Sequence, residues 1–234
     1  MAARSRGTAL ADEVVGRLVA AYAAAADPER AAPMAAYMRD QFPFFGLPTQ
    51  ERRRVTREAL RGLPQPTEAD AVGVALRCWE HDERELQYAG GEYLCTHLSV
   101  CSPAVMGPLE ELITTRSWWD TVDLLCRHGS GEIVRRHREQ RAVIDRWISS
   151  DDRWLARSAI LHQERWGAET DEDVLFAYCL RRAADTEFFL RKAIGWALRS
   201  YAHTDVAAVR AFLAAHDDEL SALSKREALK RVAG

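Results

Sequence analysis

The segment Ser117-Trp118-Trp119-Asp120-Thr121-Val122-Asp123-Leu124-Leu125 sets two tryptophans ahead of two carboxylates. On a helix beginning near Ser117, Trp119 and Asp123 lie four residues apart and share a face, while Trp118 points elsewhere. Val122, Leu125 and Trp118 then go to the core, leaving Trp119 and Asp123 to reach an open surface. The same pattern admits a purely structural reading, with Trp119 in the core and Asp120 capping the helix or pairing with Arg116.

Two further segments carry candidates. Asp151-Asp152-Arg153-Trp154-Leu155-Ala156-Arg157 opens a helix on capping aspartates, with Arg157 four residues past Arg153; read alone, both arginines are surface residues. In Arg191-Lys192-Ala193-Ile194-Gly195-Trp196-Ala197-Leu198-Arg199-Ser200-Tyr201 a glycine stands beside a tryptophan inside a helix. Glycine costs about 1 kcal/mol there relative to alanine, which points to close packing or close approach of a ligand. By itself Trp196 reads equally as core.

The elements that must position these residues are helices. Apolar residues recur at helical spacing nearly throughout, as in Val14, Val15, Leu18, Val19 and Tyr22, and strand-type alternation is scarce. Turn signals at Asp27-Pro28, Pro43 to Pro48, Pro64 to Pro66, Ser102-Pro103, Ser149 to Asp152, Gly167 to Thr170 and Ala202 to Asp205 divide the chain into roughly a dozen helices. The run Trp154 to Ile160 realigns with Phe188 to Ile194 after 34 residues. Helix pairs at that spacing predict an all-α fold, an α-solenoid whose stacked repeats curve into a concave surface for an extended partner. Periodicity does not choose between a DNA duplex and a protein.

Composition bounds the rest. The 234 residues, without a Pro/Gly/Ser-rich linker, read as one domain over 1–234. The charge-free stretches Leu18 to Ala26 and Tyr93 to Leu109 are respectively too short and too broken by prolines and polar residues to span a membrane. The five cysteines are odd in number and form no C-x-x-C pair, so neither a disulfide framework nor a metal site is expected, and a reducing cytoplasm is the default setting. Net charge is −3, which is unlike a typical nucleic-acid binder, but its distribution is uneven. Arg127 to Arg157 holds eight arginines and five acids, and Arg181 to Arg199 five bases and two acids. These are candidate phosphate-facing stripes, although solvated helix faces look similar.

Over most of its length the chain resembles the AlkD family of bacterial DNA alkylation-repair glycosylases. The likeness runs through Tyr37 to Leu47, Thr49 to Arg53, Ser117 to Asp123, Trp154 to Leu161, Lys192 to Tyr201 and Leu223 to Ala228, in family order and at near-family spacing. It implies a HEAT-like superhelix whose concave face grips the backbone of duplex DNA around an alkylated purine. Position by position it implies Asp123 as the catalytic aspartate, Trp119 and Trp196 as the tryptophans flanking the sugar, Arg157 as a phosphate-holding arginine and Tyr37 as an aromatic of the same cleft. It also implies a monomer acting without metal or other cofactor, without an obligate protein partner, and without flipping the base. The rival readings are a member of the same fold that binds damaged or branched DNA without excision, and a protein-interaction scaffold.

Overall fold

A computed structural model describes residues 8–230. Among the described residues there are fourteen α-helices, joined by short 3-10 and π segments, and no strand. The all-α expectation holds, and the seven turn signals read from the sequence all fall at or between helix ends. None of these helices is long and apolar enough to cross a membrane. Contacts gather the chain into two compact units, Met1–Arg116 and Ser117–Gly234.

In the first unit, α1 (Ala9–Ala24) starts on Thr8, whose side chain accepts from the Ala11 amide. Its stripe of Ala11, Val14, Val15, Leu18 and Tyr22 is buried with Val55 of α3 (Thr49–Ala59), Val74 and Cys78 of α4 (Glu68–Cys78), and Leu86 and Ala89 of α5 (Arg84–Thr96). Between α1 and α3, α2 (Pro28–Tyr37) begins with Asp27 as its cap and proline in the first turn, where a missing N–H is harmless. The chain then turns through Phe45-Gly46-Leu47. All three amides donate to the fully buried carboxylate of Glu85, at 3.0, 2.9 and 3.0 Å. Gly46 has φ +92°, and a Cβ on it would stand 2.0 Å from the Asp27 carbonyl oxygen, so only glycine makes this turn. The unit closes with α6 (Met106–Thr114).

The second unit holds α7 (Trp119–Leu125), α8 (Gly131–Arg136), α9 (Arg141–Trp147), α10 (Arg153–Leu161), α11 (Glu172–Arg181), α12 (Phe188–Ala202), α13 (Val206–Ala215) and α14 (Ala222–Ala228). Here the faint 34-residue period of the sequence becomes a period of contacts. Arg135 reaches Glu169 and Arg153 reaches Glu187, each 34 residues on, and the Tyr178 hydroxyl donates to Asp145, 33 residues back. Trp118, Trp154 and Phe189, at the starts of α7, α10 and α12, form one aromatic cluster with centroids 5.0–5.8 Å apart. Trp118 is thus core, as expected, although it precedes α7 and does not lie on it. Asp152 caps α10 by accepting from the amides of Trp154 and Leu155.

Gly195 explains itself by packing. A Cβ there would lie 2.5 Å from the Glu227 Cβ and 2.7 Å from the Ser224 carbonyl oxygen, so α12 and α14 touch backbone to backbone at this point. Gly195→Ala is expected to lose about 1–3 kcal/mol to this overlap, exceeding the roughly 1 kcal/mol that alanine gains in helix propensity. A urea midpoint at or above the wild type would show that the helices separate freely.

His162 follows α10 directly and is buried, with Nδ1 2.7 Å from the Ala159 carbonyl oxygen and its ring edge-on to Trp166. Burial pushes its imidazole from 6.5 down to about 4, only partly opposed by the hydrogen bond to Ala159. The unfolded chain takes up the proton first, near 6.5, so this contribution is complete above that pH and lost as pH falls toward 4. The loss is on the order of 3 kcal/mol. Urea unfolding at pH 7 and pH 4.5 should show a smaller difference for His162→Gln than for the wild type; identical differences would remove His162 as the source.

A candidate active-site cleft

Asp123 sits one turn into α7, and the helix is followed immediately by a π-helical turn over Cys126–Ser130, a local irregularity often found at functional sites. α7 begins at Trp119, two residues later than the sequence reading, with Trp118 preceding the first turn. The shared face of Trp119 and Asp123 survives this shift. Both line a cleft of about 500 Å³ together with Asp120, Leu124, Arg127, His128, Glu164, Trp196 and Arg199. Asp120 belongs to the same cleft. It is neither the helix cap nor buried.

Asp123 is 5% exposed and Arg157 1%. Arg157 donates from Nε to Oδ1 at 2.7 Å and from Nη2 to Oδ2 at 2.8 Å, the two-pronged geometry that a guanidinium fork and a carboxylate make best. A third donor, Nη1, goes to the Phe189 carbonyl oxygen at 2.7 Å, tying α7 and α10 to the start of α12. Asp123 lines the cleft and Arg157 does not. The buried pair thus borders the cleft through Asp123.

The surface placement that Arg157 has when its helix is read alone is overturned, because its charge has a partner one repeat away. Its expected phosphate contact also meets this burial. Arg127 and Arg199 are the guanidinium groups that line the opening.

Arg127 lies one turn beyond Asp123, with Nη2 3.5 Å from Oδ2, and pairs also with Glu164. Burial by itself would lower its pKa, but the charges of Asp123 and Glu164 raise it. Burial raises the pKa of Glu164 and the Asp123 charge adds to this, with Arg127 opposing. The cleft wall is consequently a row of alternating charges.

Trp196 lines the same cleft, half-buried. The Arg157 guanidinium carbon stands 5.1 Å from its ring centroid, Lys192 Nζ 5.7 Å and the Arg199 guanidinium carbon 6.0 Å. An indole face that already gathers cations is suited to a positively charged sugar. Tyr37 belongs to the first unit, at the C-terminal end of α2, and is 72% exposed. No group of three histidine, cysteine, aspartate or glutamate residues able to hold a metal occurs among the described residues, and all five cysteines are free thiols.

Arg127 could have been found from its i+4 spacing to Asp123. Glu164 carries no such signal, since only the folding of α10 against α7 brings it there.

The chain is thus an all-helical protein in which a buried carboxylate–guanidinium pair borders a cleft lined by two indoles. Comparison places it more closely. The model of the DNA alkylation repair enzyme family matches residues 18–232, and the chain belongs to this family. Among solved structures it is similar to one described as a predicted DNA alkylation repair enzyme from Enterococcus faecalis, with a TM-score of 0.81 and 27% identity over 89% of this chain and 97% of that one. No curated protein matches it.

Proposed function

We propose that the chain, as one domain over 1–234, is a DNA glycosylase that excises cationic N3- and N7-alkylated purines from duplex DNA. The observation that carries this reading is the buried Asp123–Arg157 pair beside a cleft that Asp123 lines together with Trp119 and Trp196. Alkylation at N3 or N7 gives the base a positive charge. When the C1′–N bond breaks, its electron pair returns to the purine, which leaves neutral, and the positive charge passes to the deoxyribose as an oxocarbenium ion. Little acid catalysis is required. A carboxylate held beside C1′ stabilises that ion more than the ground state, and the indole faces add to it. Water then adds to C1′ and gives up a proton to the solvent, with Asp123 orienting it, a division of labour known from carbohydrate hydrolysis.

Arg157 fixes the carboxylate before the reaction, so no reorganisation is needed as charge develops. Arg127, at the opening, holds a phosphate beside the lesion, and the buried Arg157 adds its charge from beside Asp123. Approach is from the backbone side in this scheme, so the base stays stacked and nothing encloses it. Tyr37 contributes an aromatic contact to the DNA. The protein works without metal or other cofactor, as a cytoplasmic monomer.

One assay tests the reading: incubation with a duplex containing N7-methylguanine, followed by chromatography for free base and a gel shift on the same sample. Free 7-methylguanine is expected. Binding without release would make the chain a non-catalytic binder of damaged or branched DNA, and neither would leave it a protein scaffold.

A further inference from the structure

The segment Leu223 to Ala228 shares the likeness to the family yet lies outside the cleft, and its one buried charge is Glu227, 5% exposed. Its Oε2 accepts from the Trp196 indole Nε1 at 3.2 Å and lies 3.5 Å from Arg199 Nη1. Its Oε1 lies 3.0 Å from Lys192 Nζ and 3.9 Å from Lys230 Nζ. The carboxylate thus holds the edge of the indole and, at the same time, two of the three cations standing over that indole's ring.

The backbone is arranged to allow this. Gly195, next to Trp196, leaves no side chain between α12 and α14, and the Ser224 hydroxyl donates to the Arg191 carbonyl oxygen at 2.9 Å one turn away. With any larger residue at 195, Glu227 would stand farther from the indole.

We propose that Glu227 is a positioning residue for excision: it locks the plane of Trp196 in the cleft it shares with Asp123 and keeps Lys192 and Arg199 on that ring instead of on DNA phosphates. This rests on the glycosylase reading. Burial alone would raise the Glu227 pKa, and the hydrogen bonds from Lys192 and Trp196 overcome it and lower it, so the group is an anion at neutral pH. An indole free to rotate would spend only part of its time facing the sugar, whereas a tethered one is preorganised. Removing the carboxylate also releases two cations.

The test compares Glu227→Gln, which keeps the shape and one acceptor, with Glu227→Leu, each in the wild-type and the Trp196→Phe backgrounds. The first readout is hydrogen exchange of the Trp196 indole N–H in the free protein, followed by NMR and assigned from the signal missing in Trp196→Phe. Exchange is expected to be at least about tenfold faster in Glu227→Leu and intermediate in Glu227→Gln, in line with the loss of a charge-assisted bond. The second is single-turnover release of N7-methylguanine, expected about tenfold slower in Glu227→Leu but unchanged by that substitution once Trp196 is phenylalanine. The third is affinity for undamaged duplex, expected to rise in both variants, with a log–log salt slope steeper by about 0.9 for each cation released. Tighter binding with slower excision is not what a loosened fold produces. Unaltered indole exchange in Glu227→Leu, or equal loss of excision in both backgrounds, would overturn the proposal. If the wild-type protein releases no base, the glycosylase reading fails, and the exchange and salt measurements still decide whether Glu227 tethers the indole.

Discussion

Asp123→Asn is expected to slow single-turnover excision of N7-methylguanine by about 10²–10³-fold, the effect of removing one preorganised electrostatic contact, about 3–4 kcal/mol in barrier. The amide keeps the shape of the carboxylate but not its charge, and the charge is what the departing cationic base leaves unanswered on the sugar. The substitution also has a structural cost. Two Arg157 donors converge on the two Asp123 oxygens, and an asparagine offers only one acceptor to them. About 1–3 kcal/mol of stability should therefore be lost, and the rate comparison belongs at a temperature where both proteins are folded. Asp120→Asn is the control. Asp120 shares the cleft but is half-exposed, so water screens its field and a loss of less than about tenfold is expected.

Arg157→Ala should be the most destabilising single change in the cleft, by about 3–5 kcal/mol, because it leaves a buried carboxylate without the fork that compensates it. Arg127, 3.5 Å from Oδ2 and already paired with Glu164, is too committed to replace it. Arg157→Lys should recover only part of the loss, since an ammonium supplies the charge without the planar pair of donors and cannot also reach the Phe189 carbonyl in the same geometry. Urea unfolding measures both. Wild-type stability in Arg157→Ala would mean that the carboxylate is hydrated, and the preorganisation argument would go with it. DNA binding adds a second reading of the same variant: the Arg157 charge acts on the DNA backbone, which carries no sequence information, so damaged and undamaged duplex should lose affinity alike.

Much of this architecture is legible in the sequence, because it is local. Asp152 reads as a cap and is one; Pro28 follows its capping aspartate; Trp119 and Asp123 share a face by spacing alone. The 34-residue period carries more than its two short runs suggest, since Asp123 and Arg157 are themselves 34 residues apart and pair. That pairing was not legible without knowing which face each helix turns to its neighbour. A buried arginine and a surface arginine look the same until the partner is found, and so Arg157 reads as exposed. The spacing that joins Trp119 and Asp123 does not reach Asp120, which lines the same cleft. An open cleft is wider than one helical stripe, and it collects residues from both sides of the Asp123 face. Glu164 and Glu227 act across turns and helix contacts that no spacing rule reaches, although Gly195 marked the spot where α14 comes close.

The central claim is that the protein supplies charge for a bond the lesion has already weakened, and the most direct test varies the lesion alone. Single-turnover base release would be followed for two duplexes identical except for one residue, N7-methylguanine in one and uracil in the other, with binding of both confirmed on the same samples. Release of 7-methylguanine with no release of uracil is the predicted result. Equal rates for the cationic and the neutral base, or release of uracil alone, would contradict it, because an enzyme that gives only an oriented carboxylate and aromatic walls has nothing with which to expel a neutral leaving group.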